Sequence, residues 1–581
     1  MITKILMALS LACAATFGQQ ANDPATGKDQ FATVEGKAVG LGGQALKKAT
    51  VTLRPFSGAA TPFMMFANSA TPGSIGATTD AEGKFHFDGV PPGRYYLSAE
   101  KPGFLRGGYG ATTPFDPGTI LTLAAGKDMK DLTIKLTPTA IIAGKVVDED
   151  GDPIANSSIR LSRLMYRNGK KSYQMTGFRQ TDANGEFKLD QLTAGKYYVA
   201  ASKRGMLGGQ ESARQAGLKT GQQQEDYVTT YYPGSTDQAG AQAIEVIAGQ
   251  EILGLKLTLK KLPVYHLRGK VVGSIPGKPL AGLKASAVEA GDMGGMTMMV
   301  GGLMGGNIRE DGTFDLGTYP AGSYIAQVTN SSGMITTLAR QRVELGHEDK
   351  NDIVIALQPL GEVVGKVEIE LDPKEEAARA KAKSEGKNLD AIGSIRVQLT
   401  TQEPGLNGKQ PESVKDDGTF VFTEVGSGLH KVNVMGTPLN SYIKAITVGG
   451  RDVMTSGIEV NSGQVRVDVK IAPGAGQVSG TVSDGTNPVG SAVVTLVPEP
   501  FDADKTWMFK STTTDQAGAF SFRGLTPGKY KVYAWQEIEN GAHQDPDFLR
   551  PWGGKATDVE VKESSANTVT VVRISAADMK K

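Results

Sequence analysis

A chain of 581 residues is too long for a single hydrophobic core, and a usual domain size of roughly 100 to 200 residues predicts several domains. Its 62 basic residues are balanced by 61 acidic ones, which argues against generic nucleic-acid binding because no excess charge is left for a polyanion. The 74 glycines and 28 prolines are high for a helical protein and ordinary for one made of turns and short strands.

The first residues, MITKILMALSLACAATFG, place one lysine before a short apolar run and end in small residues. That order predicts a secretory signal over 1–18, cleaved after Gly18, with an apolar run too short to span a bilayer. The single cysteine, Cys13, lies within it, so the mature chain is expected to hold no disulfide. A lipoprotein reading would acylate Cys13, but Ser10, Leu11 and Ala12 fit the lipobox order poorly. No later segment approaches the apolar length of a membrane span. The expected location is therefore outside the cytoplasm: extracellular, at the cell surface or in the periplasm. Residues 19–30 are polar and read as a flexible leader.

A repeating plan then begins. Each unit opens on an alternating strand with a glycine at one place: ATVEGKAVG from Ala32, AIIAGKVV from Ala140, YHLRGKVV from Tyr265, GEVVGKVEIE from Gly361 and GQVSGTVS from Gly476. A second strand follows (ATVTLRP from Ala49, SSIRLSR from Ser157, SIRVQLT from Ser394, AVVTLVP from Ala492), weaker in the third unit as LKASAVE from Leu283. After a variable insert comes the most regular stretch, a turn and two strands. Its copies are TTDAEGKFHFDGVPPGRYYLSA from Thr78, QTDANGEFKLDQLTAGKYYVAA from Gln180, IREDGTFDLGTYPAGSYIAQV from Ile308, VKDDGTFVFTEVGSGLHKVNV from Val414 and TTDQAGAFSFRGLTPGKYKVYA from Thr513. Aspartate supplies local hydrogen bonds, glycine supplies positive φ, and the apolar residues alternate with the period of a half-buried strand. The third and fourth copies drop one turn residue, and the fourth puts Leu429 and His430 where the others have an aromatic. Each unit closes on an alternating pair of strands, the first four ending at a proline that leads directly into the next opening strand.

About seven strands per unit, with turn signals every eight to twelve residues, predict an all-β chain of five tandem β-sandwich modules. The expected boundaries are 31–138, 139–262, 263–360, 361–473 and 474–581. Short linkers predict a rod with restricted hinges. One segment, LDPKEEAARAKAKSEGKNL from Leu371, favours a helix by composition and reads as a short helical insert in the fourth module.

The order GKVVDEDGDPIANSSIRL followed by TDANGEFKLDQLTAGKYYVAA resembles the carboxypeptidase regulatory-like domain, a transthyretin-like (prealbumin-like) sandwich also related to the Cna-B-type modules of bacterial surface proteins. The resemblance extends over five copies, closest in the second and fifth and weakest in the fourth. It implies a fold and an accessory role; family members accompany peptidases, outer-membrane receptors and glycan-binding proteins.

A zinc carboxypeptidase would need a His and a Glu three residues apart plus a distant His. His86, His266, His347, His430 and His543 lack that spacing and are spread over five modules. Nucleophile-elbow and phosphate-loop patterns are missing, so neither catalysis nor a cofactor or metal is expected. The DEDGDP stretch from Asp148 has Ile159 where a calcium loop needs Glu and reads as a β-turn. Asp80, Asp182, Asp311, Asp417 and Asp515 are read as turn formers.

Two binding readings remain. The tryptophans Trp507, Trp535 and Trp552, with Tyr533, are all in the fifth module, where rings could stack on a glycan or fill a core. The Met/Gly inserts, PFMMF from Pro62 and GDMGGMTMMVGGLMGG from Gly291, are either adhesive loop tips or tolerated excursions. The leading expectation is a non-catalytic exported scaffold for adhesion or interaction. The alternative is a carbohydrate-binding protein using the last module, and the third an accessory to a carboxypeptidase.

Overall fold

A computed structural model describes residues 31–56, 73–111, 118–167, 169–203, 224–290, 306–330, 336–371, 376, 381, 394–401, 403, 406–438 and 440–580. The signal and leader, Cys13, the PFMMF insert and the Gly291 insert up to Gly305 lie outside these residues. Of the lysine-rich insert after Leu371, only Glu376 and Lys381 are described, both helical.

Five separate hydrophobic cores are present, drawn from 32–136, 140–259, 265–357, 363–471 and 478–571. The first four are each enclosed by two sheets, as the period-two alternation requires; in the fifth the two layers join into one seven-stranded sheet where Ala534 and Trp535 pair with Arg573 and Ile574. In the first, the opening strand Ala32–Gly40 lies between Lys84–Val90 and Met129–Leu136, while Thr50–Pro55 and Gly93–Glu100 centre the facing sheet. The two closing strands do not form a hairpin. Ile120–Leu123 pairs with Gly93–Glu100 in one sheet, and Met129–Leu136 crosses to pair with the opening strand in the other. That last pairing is parallel in every core, while the other pairings are antiparallel save a short parallel contact of Ala534 and Trp535 with Arg573 and Ile574 in the fifth.

This parallel neighbour explains the glycine of each opening strand. A Cβ on Gly36, Gly144, Gly269, Gly365 or Gly480 would meet the carbonyl oxygen of the facing strand at 2.2, 2.0, 2.0, 2.5 or 1.9 Å, so no side chain fits.

The recurrent turn is built by hydrogen bonds. Asp515 Oδ1 accepts from the amides of Ala517 and Ala519 at 2.9 and 2.8 Å, and Asp182 and Asp80 act similarly. Asp311 and Asp417 do not occupy the same place. The turn has the same length in all five copies, a correction to the expected loss of one residue: Arg309 and Lys415 take the opening position, and the aspartates two places later cap Thr313 and Thr419. Bonding to these threonines holds both carboxyls below the usual carboxylate range.

Two further positions brace the copies. In the first, second and fifth cores a buried threonine precedes the aspartate. Thr514 accepts from the Ala492 amide at 2.9 Å and donates to the Val489 carbonyl at 2.8 Å; Thr79 and Thr181 do the same. Ile308 and Val414 fill that place in the other two with apolar burial. Second, the buried tyrosine of the following strand donates to the carbonyl four residues back: Tyr95 to Pro91, Tyr197 to Thr193, Tyr324 to Pro320 and Tyr530 to Thr526, at 2.9, 2.9, 2.8 and 2.7 Å. In the fourth core His430 Nε2 donates to the Gly426 carbonyl at 2.8 Å, so histidine replaces tyrosine without changing the bond. Burial lowers the His430 pKa, outweighing the Gly426 bond, which favours the protonated ring. Tyr530→Phe is expected to cost about 1 kcal/mol by leaving the Thr526 carbonyl without its donor. Urea unfolding followed by tryptophan fluorescence measures this, since all three tryptophans belong to the fifth core's region.

The junctions are short. Leu105 and Thr139 amides bond to Thr137 and Gly103 carbonyls at 2.8 and 3.0 Å between the first two cores. The strand Lys261–Val272 runs from the second into the third, pairing first with Glu225–Tyr227 and then with Thr313–Pro320. Lys278 pairs with Glu424 at 2.7 Å, and Arg340 pairs with Glu403, across the third and fourth. Tyr442 donates to Glu563 at 2.9 Å across the fourth and fifth. Burial, with this carboxylate beside it, pushes the Tyr442 phenol up to about 12. The expected rod is corrected by contacts far apart in sequence. Thr119 and Ser491 hydroxyls lie 3.0 Å apart, and Tyr166 packs on Phe548. The fifth core therefore touches the first and second as well as the fourth. Repeat spacing carried no information about which outer faces are complementary.

Candidate functional site

The fifth core has a feature the repeat does not supply, a second apolar cluster on the outer face of one sheet. In the strand Gly528–Trp535, alternation sends Tyr530, Val532 and Ala534 into the sandwich and Tyr533 and Trp535 to the other face. That face is also buried. Phe509 and Val497 flank it, the segment 538–556 covers it, and Ile574 closes it. The covering segment carries a four-residue helix, Pro546–Leu549, started by the Asp545 side chain accepting from the Asp547 amide, with proline in the first turn.

Trp535 is wholly buried, stacked on Tyr533 at 5.5 Å and 20°, with Phe548 at 5.5 Å and Trp552 edge-on at 6.0 Å. Its Nε1 donates to Thr495 Oγ1 at 2.9 Å, which satisfies a hydroxyl that is itself buried. Tyr533 is 2% exposed, and its burial raises the phenol pKa. Trp535 and Tyr533 thus present no ring face to a sugar, a correction to the sequence expectation for these two. A β-strand face with no evident partner in sequence looks open until the segment that covers it is placed. Trp552 and Trp507 are half-buried, in the short 3-10 segments Arg550–Lys555 and Thr506–Met508, and Trp507 lies outside the cluster. Sequence reasoning missed Thr495, Phe509, Phe548 and Leu549. The Asp545–Pro546 pair is a helix-start signal that could have pointed to the last two.

His543 is 6% exposed with its ring 6.1 Å from that of Phe509, and burial alone lowers its pKa to about 4. An unfolded histidine titrates near 6.5, so the unfolded state binds the proton first as pH falls. Fifth-core stability is therefore expected to decline from about pH 6.5 to about pH 4, by roughly 3 kcal/mol from this group, and to level off below. The difference between wild type and His543→Gln in urea midpoint against pH isolates the contribution. Equal slopes for the two proteins would refute it.

Several other charged groups pair at the surface. An open groove of about 410 Å³ borders Glu499, Lys529, Lys531, Asp558 and Glu560, with Lys531 held by Asp558 at 2.8 Å and Glu499 at 3.7 Å. The Asp148 carboxylate accepts from the Asp150 and Asp152 amides at 3.1 and 2.8 Å, so the acidic run is a turn. His86 bridges Glu35 and Asp88, and His266 pairs with Asp315 at 3.1 Å, each at the surface of its own core. Among the described residues no group of three or more His, Cys, Asp or Glu side chains could hold a metal ion, and no helix is long and apolar enough to cross a membrane.

Comparison with known proteins follows these features. The family model of the carboxypeptidase regulatory-like domain matches residues 33–137, 141–229 and 477–572, the three stretches whose turn keeps both the buried threonine and the opening aspartate. No curated protein matches the chain. Among solved structures, the TIE protein of Bacillus anthracis is similar at 10% identity over 90% of this chain and 68% of its own, with a TM-score of 0.14. The minor pilin GBS52 of Streptococcus agalactiae is 16% identical over 42% of this chain and 99% of its own, with a TM-score of 0.20. BcpA, the major pilin subunit of Bacillus cereus, is 11% identical over 75% and 99%, with a TM-score of 0.13. The chain is thus an all-β protein in which residues 33–137, 141–229 and 477–572 belong to the carboxypeptidase regulatory-like domain family.

Proposed function

We propose that this protein is a non-catalytic, exported scaffold for adhesion or interaction in the cell envelope, made of five sandwich modules with boundaries near 138, 262, 360 and 473. The observation that carries this reading is the use of the repeated polar residues. Aspartate and threonine in three cores, and tyrosine or its substitute His430 in all five, stand at fixed places, and each is engaged in a backbone hydrogen bond that shapes its own core. Repetition here serves folding, and strand-to-strand junctions with ion pairs hold neighbouring cores at short range. Such a chain presents surfaces at set spacings.

The test is saturable binding of the full chain to isolated bacterial envelopes, alongside a peptidase assay. Saturable binding without peptide cleavage is expected; cleavage that a metal chelator abolishes would overturn the proposal. A glycan ligand on the fifth module is the second reading, favoured by the half-buried rings of Trp507 and Trp552. It predicts glycan-array binding that Trp507→Ala together with Trp552→Ala removes.

A further inference from the structure

The second and fifth cores each carry an elaboration beyond the common plan, and the two elaborations meet. In the second core the strands Ser158–Arg167 and Lys170–Gln180 are 10 and 11 residues long. The equivalent pairs elsewhere are 6 and 4, 7 and 2, 5 and 5, and 7 and 4. Their neighbour in the sheet pairs only with residues 158–162, so the hairpin continues without it for five more residues, about 17 Å of strand. A two-stranded ribbon of this kind is marginal in water unless something packs on it.

Its end packs on the segment that covers the aromatic cluster of the fifth core. Tyr166 meets Phe548 edge to face at 6.2 Å. Backbones approach closely on both sides. A Cβ on Gly169 would lie 2.1 Å from the Gln544 carbonyl oxygen, and one on Gly541 would lie 3.2 Å from the Tyr166 Cβ. Lys171 covers the Tyr166 ring at 4.8 Å and, with Arg163, faces the charge of Glu539. Gly169, an aromatic side chain and two cations thus fit a glycine, an aromatic side chain and an anion.

We propose that the 158–180 hairpin is a latch, which seats on residues 539–548 and holds the second and fifth cores together within one chain. The inference goes beyond the scaffold reading and stands whatever the scaffold binds. The latch fixes the spacing of modules that are otherwise linked through the third and fourth and through the contact of the first with the fifth at Thr119 and Ser491.

Spin labels at exposed Lys188 and Lys555, one on each core, test it by double electron–electron resonance on the full chain with Cys13→Ser. Wild type is expected to give one narrow distance. Gly169→Asn keeps a residue that tolerates the positive φ of 73° at this turn yet places a Cβ against Gln544. It is expected to at least double the width of the distribution and shift it outward, with tryptophan fluorescence unchanged as the sign that the fifth core is intact. Tyr166→Ser, which alters only the projecting part, should act in the same direction if Gly169→Asn disturbs folding. A broad wild-type distribution would overturn the latch, as would distances that neither variant alters. A narrow distance that disappears on dilution with unlabelled chain would also overturn it, because the contact would then join two copies.

Discussion

Replacing Gly480 by alanine is expected to destabilise the fifth core by about 3 to 5 kcal/mol, above the usual range for overpacking because the new methyl group meets backbone. The added Cβ would lie 1.9 Å from the Val569 carbonyl oxygen and 3.0 Å from the Phe520 ring. Neither can retreat alone. Val569 belongs to Ala566–Ile574, paired in parallel with Gly476–Ser483 over seven residue pairs, and Phe520 is 5% exposed within the core. The strands must separate locally, which gives up ladder hydrogen bonds as well as packing. Gly553→Ala is the control, since nothing lies within 4 Å of a Cβ there. Urea unfolding by tryptophan fluorescence should show a much lower midpoint for Gly480→Ala and little change for Gly553→Ala. A Gly480→Ala midpoint within 0.5 kcal/mol of wild type would refute the close approach.

Trp535→Ala is the second large expectation, a loss of about 3 to 5 kcal/mol. The substitution empties the centre of the outer cluster, where Tyr533, Phe548 and Trp552 all contact the indole. It also leaves the buried Thr495 hydroxyl without its indole donor. The damage should be concentrated in the covering segment, because Phe520, Phe522, Tyr530 and Val532 pack in the separate inner core. Amide hydrogen exchange at residues 541–552 is expected to rise by one to two orders of magnitude, with protection of the inner strands falling less. Uniform loss across both regions would show that the two clusters do not act separately. Trp535→Phe should recover part of the packing but not the bond to Thr495.

The same substitution bears on the glycan reading. If Trp552 presents a ring to a ligand, it does so from a position set by Trp535, and Trp535→Ala should weaken such binding without Trp535 touching the ligand. The aromatic residues that stood together in the sequence thus divide into a buried pair, Tyr533 and Trp535, and two half-buried rings.

Local chemistry was legible in the sequence. Alternation marked strands such as Ala519–Leu525, and the Asp515–Gly518 turn was read as the structure forms it, with Asp515 bonded to two amides and Gly518 at φ 74°. The recurring glycine of the opening strand was visible, and so was the oddity of His430. Their reasons were not. Gly480 is required by a strand almost ninety positions later, and His430 is explained only when its ring is seen holding the Gly426 carbonyl. The third and fourth turns look one residue shorter only when Asp311 and Asp417 are aligned with the opening aspartates; the hydrogen bonds show turns of equal length that open on Arg309 and Lys415, with an Asp-Gly pair left in view two places later.

What the sequence by itself determined was therefore the all-β class, the repeated turn-and-strand plan and the inward face of each strand. These follow from neighbours two to four residues apart, and they recur with every copy. Only the tertiary structure decided which strands run parallel, that the outer face bearing Tyr533 and Trp535 is covered by residues 538–556, and that the hairpin end near Tyr166 lies on Phe548. Those outcomes depend on surfaces brought together across tens to hundreds of residues, where period and spacing carry no signal and complementarity of shape and charge determines the contact.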